Sequence, residues 1–133
     1  ANTDLMTQLN SRTAFEERVR QSPILNGSCA CIVVDINNLK QANDTMGHSA
    51  GDELICAAAE CILSAFESLG CCYRMGGDEF AVLLQNITEP QVNRALSELE
   101  LCIGRRNLMR SFPLSLAAGY AMGQDAAIEQ LFC

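Results

Sequence analysis

Apolar and polar positions along the chain divide it into alternating helix-like and strand-like stretches. Residues 13–21, TAFEERVRQ, read as a short helix running into SPILNGS, a loop by its Pro, Asn, Gly and Ser content. CACIVVDI, residues 29–36, is a short, β-branched, continuously apolar run that ends in polar residues, as a buried strand does. NNLKQANDTMGH, residues 37–48, has no clean period and reads as an irregular or half-helical connection. Ser49 then opens a helix, with Asp52 three positions on as a short variant of the capping box. Leu54, Ile55, Ala58, Ile62, Ala65, Phe66 and Leu69 recur at helical spacing, and Gly70 closes the helix. CCYRM and FAVLLQ are two strands around Gly76-Gly77. Pro90 starts a further helix with Val92, Ala95, Leu96, Leu99 and Ile103 inward. FPLSLAAGYA, residues 112–121, predicts a fourth strand, and AAIEQLF, residues 126–132, a last helix.

Strand, helix, strand, strand, helix, strand is the split βαβ order, so the predicted fold class is α+β with a ferredoxin-like βαββαβ core. Right-handed crossovers make the first two strands parallel and insert the third between them, antiparallel to both. That topology carries Asp35, at the end of the first strand, to the sheet edge where the third strand begins at Asp78 and Glu79.

Carboxylates gathered at one edge repel unless a cation lies between them. Hard oxygen ligands suit Mg²⁺, which takes one or two carboxylates and completes its shell with water and substrate phosphates. Gly76-Gly77 suits a two-residue hairpin turn, and it also lets a phosphate approach the backbone. The segment DINNLKQANDTMGHSAGDEL adds Lys40, a point charge for a phosphate, and the pair Asn43 and Asp52. A carboxylate accepts from guanine N1–H and the 2-amino group, while an amide donates to O6 or N7. The plainer roles for Asn43, Asp44 and Asp52 are capping and turn chemistry, and for His48 a structural hydrogen bond.

Composition narrows the partners. A chain of 133 residues is one domain, and its 49% hydrophobic content argues against disorder. No apolar run approaches a membrane span, and no signal-peptide pattern opens the chain. Nine basic against 16 acidic residues, a net charge of -7, argue against a sequence-independent grip on nucleic acid. They leave room for a single nucleotide whose phosphates are neutralised by metal. The eight cysteines form no CxxC pair and fall mostly in apolar runs, so they are expected to be reduced core residues of a cytoplasmic protein.

RMGGDEF resembles the RxGGDEF signature of the GGDEF domain family, the bacterial diguanylate cyclases. VDINNLKQANDTMGHSAGDEL resembles that family's DxDxFKxxNDxxGHxxGDxxL at unbroken spacing, and DLMTQLNSRTAF its opening DxLTGLxNRxxF. The resemblance implies a nucleotidyl-cyclase or palm-like domain that condenses two GTP into cyclic di-GMP and pyrophosphate. Each domain then supplies half of an active site in a homodimer, downstream of a sensor or regulatory domain. It implies Asp35, the Ile36 carbonyl and Asp78 as ligands of Mg²⁺ (or Mn²⁺). Asp78 with Glu79 would deprotonate the attacking 3′-hydroxyl, and Lys40 would meet phosphate charge. Asn43 and Asp52 would bind guanine, with Gly76 and Gly77 beside the α-phosphate.

The chain departs from the pattern at Asn37, Leu39, Gln8 and Ser11, where the family often has Asp, Phe, Gly and Asn. The resemblance further implies a single domain over residues 1–133 whose C-terminal part is truncated. It stops at the start of the family's helix resembling ADxALYxAKxxGRN, whose basic residues grip the triphosphate. Where many members carry an inhibitory RxxD motif, this chain has ESLG, with Glu67 and Gly70 at the two key positions. The alternative is a catalytically impaired module that binds GTP and regulates a partner domain.

Overall fold

The structure is a computed structural model and describes residues 2–132. Its elements are α1 (Arg12–Gln21), β1 (Ser28–Ile36), α2 (Leu39–Met46), α3 (His48–Phe66), β2 (Gly70–Arg74), β3 (Glu79–Leu84), α4 (Glu89–Asn107), β4 (Leu116–Gln124) and α5 (Ile128–Phe132). The sheet has the order β2-β3-β1-β4 with every neighbouring pair antiparallel, so β3 lies between β1 and β2 as the element order requires.

β1 is central and covered on both faces, which is why its sequence runs apolar without alternating. Ala30, Ile32, Val34 and Ile36 join the larger core, with Phe80, Val82 and Leu84 of β3 and the inner faces of α3 and α4. Cys29 and Cys31 face the smaller core, with Phe15, Leu25, Tyr73, Leu83 and Ile128. The Phe15 ring meets Tyr73 edge-on, centroids 5.3 Å apart, and so ties α1 to β2. Full burial of side chains such as Phe66 and Ile62 contributes about 1.5–3 kcal/mol each. The described cysteines are free thiols; Cys29, Cys31, Cys61 and Cys72 are buried and Cys71 is exposed. Among the described residues no helix is long and apolar enough to cross a membrane.

Four local expectations change. Residues 39–46 form a true helix: Ala42 is fully buried and Leu39 packs on the larger core, so tertiary contact stabilises a stretch whose Asn and Asp content reads as loop. α3 begins at His48, behind Gly47, and no side chain caps it, so Ser49 and Asp52 do not form a capping box. Gly47, at φ +89° and ψ 167°, makes the α2–α3 corner in a conformation open essentially to glycine alone. α3 ends at Phe66, and Gly70 instead opens β2, where an added Cβ would lie 2.2 Å from the Leu83 carbonyl oxygen. β4 runs from 116 to 124 rather than from 112, because the residues around Pro113 lead into the sheet without pairing. α4 is capped by Thr88, whose hydroxyl accepts from the Gln91 N–H while the Gln91 amide oxygen accepts from the Thr88 N–H.

Candidate active site at the β1–β3 edge

Asp35 is the one exposed residue in β1. Its register partner on β3 is Glu79, so two carboxylates stand directly opposite each other on one face of the sheet. Like charges in that position are destabilising. The Ile36 N–H donates to the Asp78 carbonyl oxygen at 2.9 Å, which ties the end of β1 to the residue before β3. Asp35, Ile36, Asp78 and Glu79, separated by more than 40 positions in sequence, therefore share one sheet edge, as the topology predicted.

The hairpin loop is longer than two residues. Residues 75–78 separate the strands, with the N–H groups of Met75 and Gly76 both directed at the Glu79 carbonyl oxygen, at 2.8 and 3.4 Å. Neither Gly76 nor Gly77 has a positive φ, so the turn itself does not demand glycine there. A Cβ added at either would meet nothing within 4 Å. The two glycines leave open space at the acidic edge, and that space is what a close-lying ligand needs.

Two arginines hold three consecutive carbonyl oxygens of this loop. Arg12 Nη1 donates to Met75 at 3.4 Å; Arg74 Nε donates to Gly76 at 3.1 Å and its Nη2 to Gly77 at 3.2 Å. Arg74 Nη1 also reaches both carboxylate oxygens of Asp4 at 3.3 Å, with both side chains largely shielded from solvent. Burial alone would raise the Asp4 pKa. Hydrogen bonds from the Thr7 hydroxyl and N–H, together with Arg74, outweigh it and hold the carboxyl below its usual 3.8. The motifs assign Asp4, Arg12 and Arg74 no role, although all three lie inside two of them, DLMTQLNSRTAF and RMGGDEF.

Beside the edge, the β1–α2 turn places Asn38 at φ 62° and starts α2 with no side-chain cap. The first-turn N–H groups of α2 are thus left without a capping side chain, and a helix start of this kind favours anions. Lys40 is exposed in that first turn. Asn37 donates its side-chain amide to Ser115 Oγ at 3.0 Å, so the residue standing where the family often has Asp is engaged by the lead into β4.

Across the Gly47 corner the Asn43 amide of α2 packs against Gly51 of α3, the residue preceding Asp52. The Asn43 Oδ1 is buried without a hydrogen-bond partner. An amide oxygen left in that state costs about 1–3 kcal/mol. Asp52 and His48 are exposed.

The donor set suits a hard cation held partly by its substrate. Asp35, Asp78, Glu79 and the Ile36 carbonyl offer only oxygen, and the opposed pair Asp35 and Glu79 gains from a positive charge between them. Among the described residues no group of three or more His, Cys, Asp and Glu side chains closes around a metal position.

The structure is thus an α+β domain with acids gathered at one edge of a four-stranded antiparallel sheet, beside a glycine loop. The family described as "Diguanylate cyclase, GGDEF domain" matches residues 1–128, and the chain belongs to it. A diguanylate cyclase of Vibrio cholerae is 38% identical over 90 residues, covering 65% of this chain and 28% of that protein. The cyclic di-GMP phosphodiesterase PdeR of Escherichia coli is 32% identical over 95% of this chain and 20% of its own length. The crystal structure of the GGDEF domain of DgcB from Caulobacter crescentus in complex with c-di-GMP superposes with a TM-score of 0.83. It is 25% identical over 99% of this chain and 84% of that one. The chain thus spans under a third of the curated relatives named here.

Proposed function

We propose that the domain is one half of a diguanylate cyclase active site, condensing two GTP into cyclic di-GMP in a pair of domains. The observation that carries this is the opposed Asp35 and Glu79 beside Asp78 and the open Gly76-Gly77 loop. In the reaction the 3′-hydroxyl oxygen of one GTP attacks the α-phosphorus of the other. The new O–P bond forms as the bond to the β-phosphate oxygen breaks, and pyrophosphate leaves; the second half-reaction closes the ring. Mg²⁺ or Mn²⁺ held by Asp35, the Ile36 carbonyl and Asp78 would supply positive charge for the phosphates and for the ionising hydroxyl. Asp78, with Glu79, takes the hydroxyl proton. Lys40 and the free N–H groups of the α2 first turn offset charge on the phosphates, and Gly76 and Gly77 admit them to the backbone. Asn43 and Asp52 read guanine.

Incubation of the full-length chain with GTP and Mg²⁺ tests this: cyclic di-GMP and pyrophosphate are expected. The similarity to PdeR, named for a phosphodiesterase activity, favours a second reading, a GTP-binding module that regulates a partner domain. GTP binding without product would establish that module, and absence of both would remove both readings.

ATP is expected to compete poorly with GTP. Adenine turns a 6-amino donor and an unprotonated N1 toward groups arranged for guanine, leaving hydrogen bonds unmade and polar groups desolvated at a cost of a few kcal/mol, on the order of 10²-fold in affinity. Equal competition in a fluorescent-GTP displacement assay would take Asn43 and Asp52 out of the base site.

Cyclic di-GMP is not expected to bind tightly at the α3–β2 junction. Glu67 is exposed and carries the wrong charge for a phosphate, and Gly70 is pressed so close to Leu83 that no side chain fits without a shift. Calorimetric titration of cyclic di-GMP, with the active half-site filled by a GTP analogue, checks this. Tight binding that vanished on changing Glu67 would refute it.

A further inference from the structure

We infer that Gly51 is a positioning residue for the nucleotide base: its missing side chain is the seat that holds the Asn43 amide. The inference rests on the reading of Asn43 as a guanine contact.

Gly51 is buried in the fourth position of the 19-residue helix α3, where glycine is among the least favourable residues. Its backbone gives no reason for glycine, since it is not among the residues with positive φ. The reason is spatial. A Cβ built on Gly51 would lie 1.8 Å from Asn43 Oδ1, 2.7 Å from its Cγ and 3.1 Å from its Nδ2. All three nearest atoms belong to one side chain, and none to the backbone. The close approach of α2 to α3 is therefore used by a single amide. That amide is the one whose Oδ1 is buried with no hydrogen-bond partner, so no bond at that atom holds it in place. Packing against Gly51 does so instead. Asp52, the carboxylate that would share the base, is the next residue along α3.

A methyl group at position 51 has two opposite consequences. Alanine is the better helix former, which favours the fold. It also evicts the Asn43 amide, which can swing away because it is the end of a side chain. The two effects separate in a double-mutant cycle with Gly51→Ala and Asn43→Ala. Thermal denaturation without nucleotide is expected to show Gly51→Ala raising Tm in the Asn43→Ala background and failing to raise it when Asn43 is present. Titration with a fluorescent GTP analogue and Mg²⁺ is expected to show Gly51→Ala weakening GTP on the order of tenfold, about 1.4 kcal/mol. Weak ATP binding should hardly change, so selectivity falls, whereas a merely loosened fold would weaken both. The double variant is expected to bind GTP no worse than Asn43→Ala alone.

Additive stability effects would overturn the packing of Asn43 on Gly51. Unchanged GTP affinity and selectivity in Gly51→Ala would overturn its positioning role. An unaltered chain that bound no GTP would instead refute the nucleotide reading, while the stability cycle would still decide the packing. The two failures are thereby distinguishable.

Discussion

Asp78→Ala and Asp35→Ala, each made in the full-length protein, are expected to abolish cyclic di-GMP formation, with turnover falling about 10² to 10⁴-fold, and to leave the fold intact. Both residues are exposed, so neither removes core packing. The sign of the stability change is itself informative. In the absence of metal, Asp35 faces Glu79 across two paired strands, and removing one carboxylate relieves repulsion. Asp35→Ala should therefore melt at the same temperature as the unaltered protein or slightly above it while losing activity. Added Mg²⁺ and GTP should raise the melting temperature of the unaltered protein more than that of the variant. Near-normal turnover in either variant would mean that these carboxylates are not at the reacting phosphate.

The next largest effect is expected at Arg74. Its guanidinium binds the carbonyl oxygens of Gly76 and Gly77 through two nitrogens and Asp4 through the third. Arg74→Ala releases the loop that carries Asp78 and leaves the Asp4 carboxylate partly shielded from solvent without its ion partner. We expect a loss of about 1–3 kcal/mol in stability and, through misplacement of the loop, about 10²-fold in turnover. Arg74→Lys should rescue little, because one ammonium cannot reproduce three donors in a fixed fork. The same contact gives a pH signature. Asp4 has a folded-state pKa below 3.8, so its contribution to stability is present at neutral pH and above. It is lost as pH falls from about 4 through the lower folded value. Asp4→Asn should be less stable than the unaltered protein at pH 7 and lose less on acidification through that window. Urea denaturation across pH 2–7 measures this. An Arg74→Ala variant with unchanged melting temperature and turnover would remove the clamp from the account.

Much of this molecule is legible in residue order. The continuous apolar run of β1, the helical period of α3 and α4 and the punctuation by Gly76-Gly77 and Pro90 identify the main elements. These signals are local, because strand and helix periods and turn preferences depend on neighbours a few residues apart. The order of the elements, with the handedness of their connections, also places Asp35 at the same sheet edge as Asp78 and Glu79. What the sequence could not determine depends on contacts between distant segments. α2 is helical because Ala42 and Leu39 find a core to bury in. Asp52 caps no helix because the start of α3 lies at Gly47 rather than at Ser49. Gly76 and Gly77 proved to be open space rather than a turn requirement, which only their φ angles and surroundings could decide. The Arg74 clamp spans 70 residues to Asp4, and the seat of Asn43 on Gly51 depends on how closely two helices approach. Sequence pattern reports which residues want burial or a turn; the distances that make a side chain a clamp or a glycine a seat arise only when the packed elements meet.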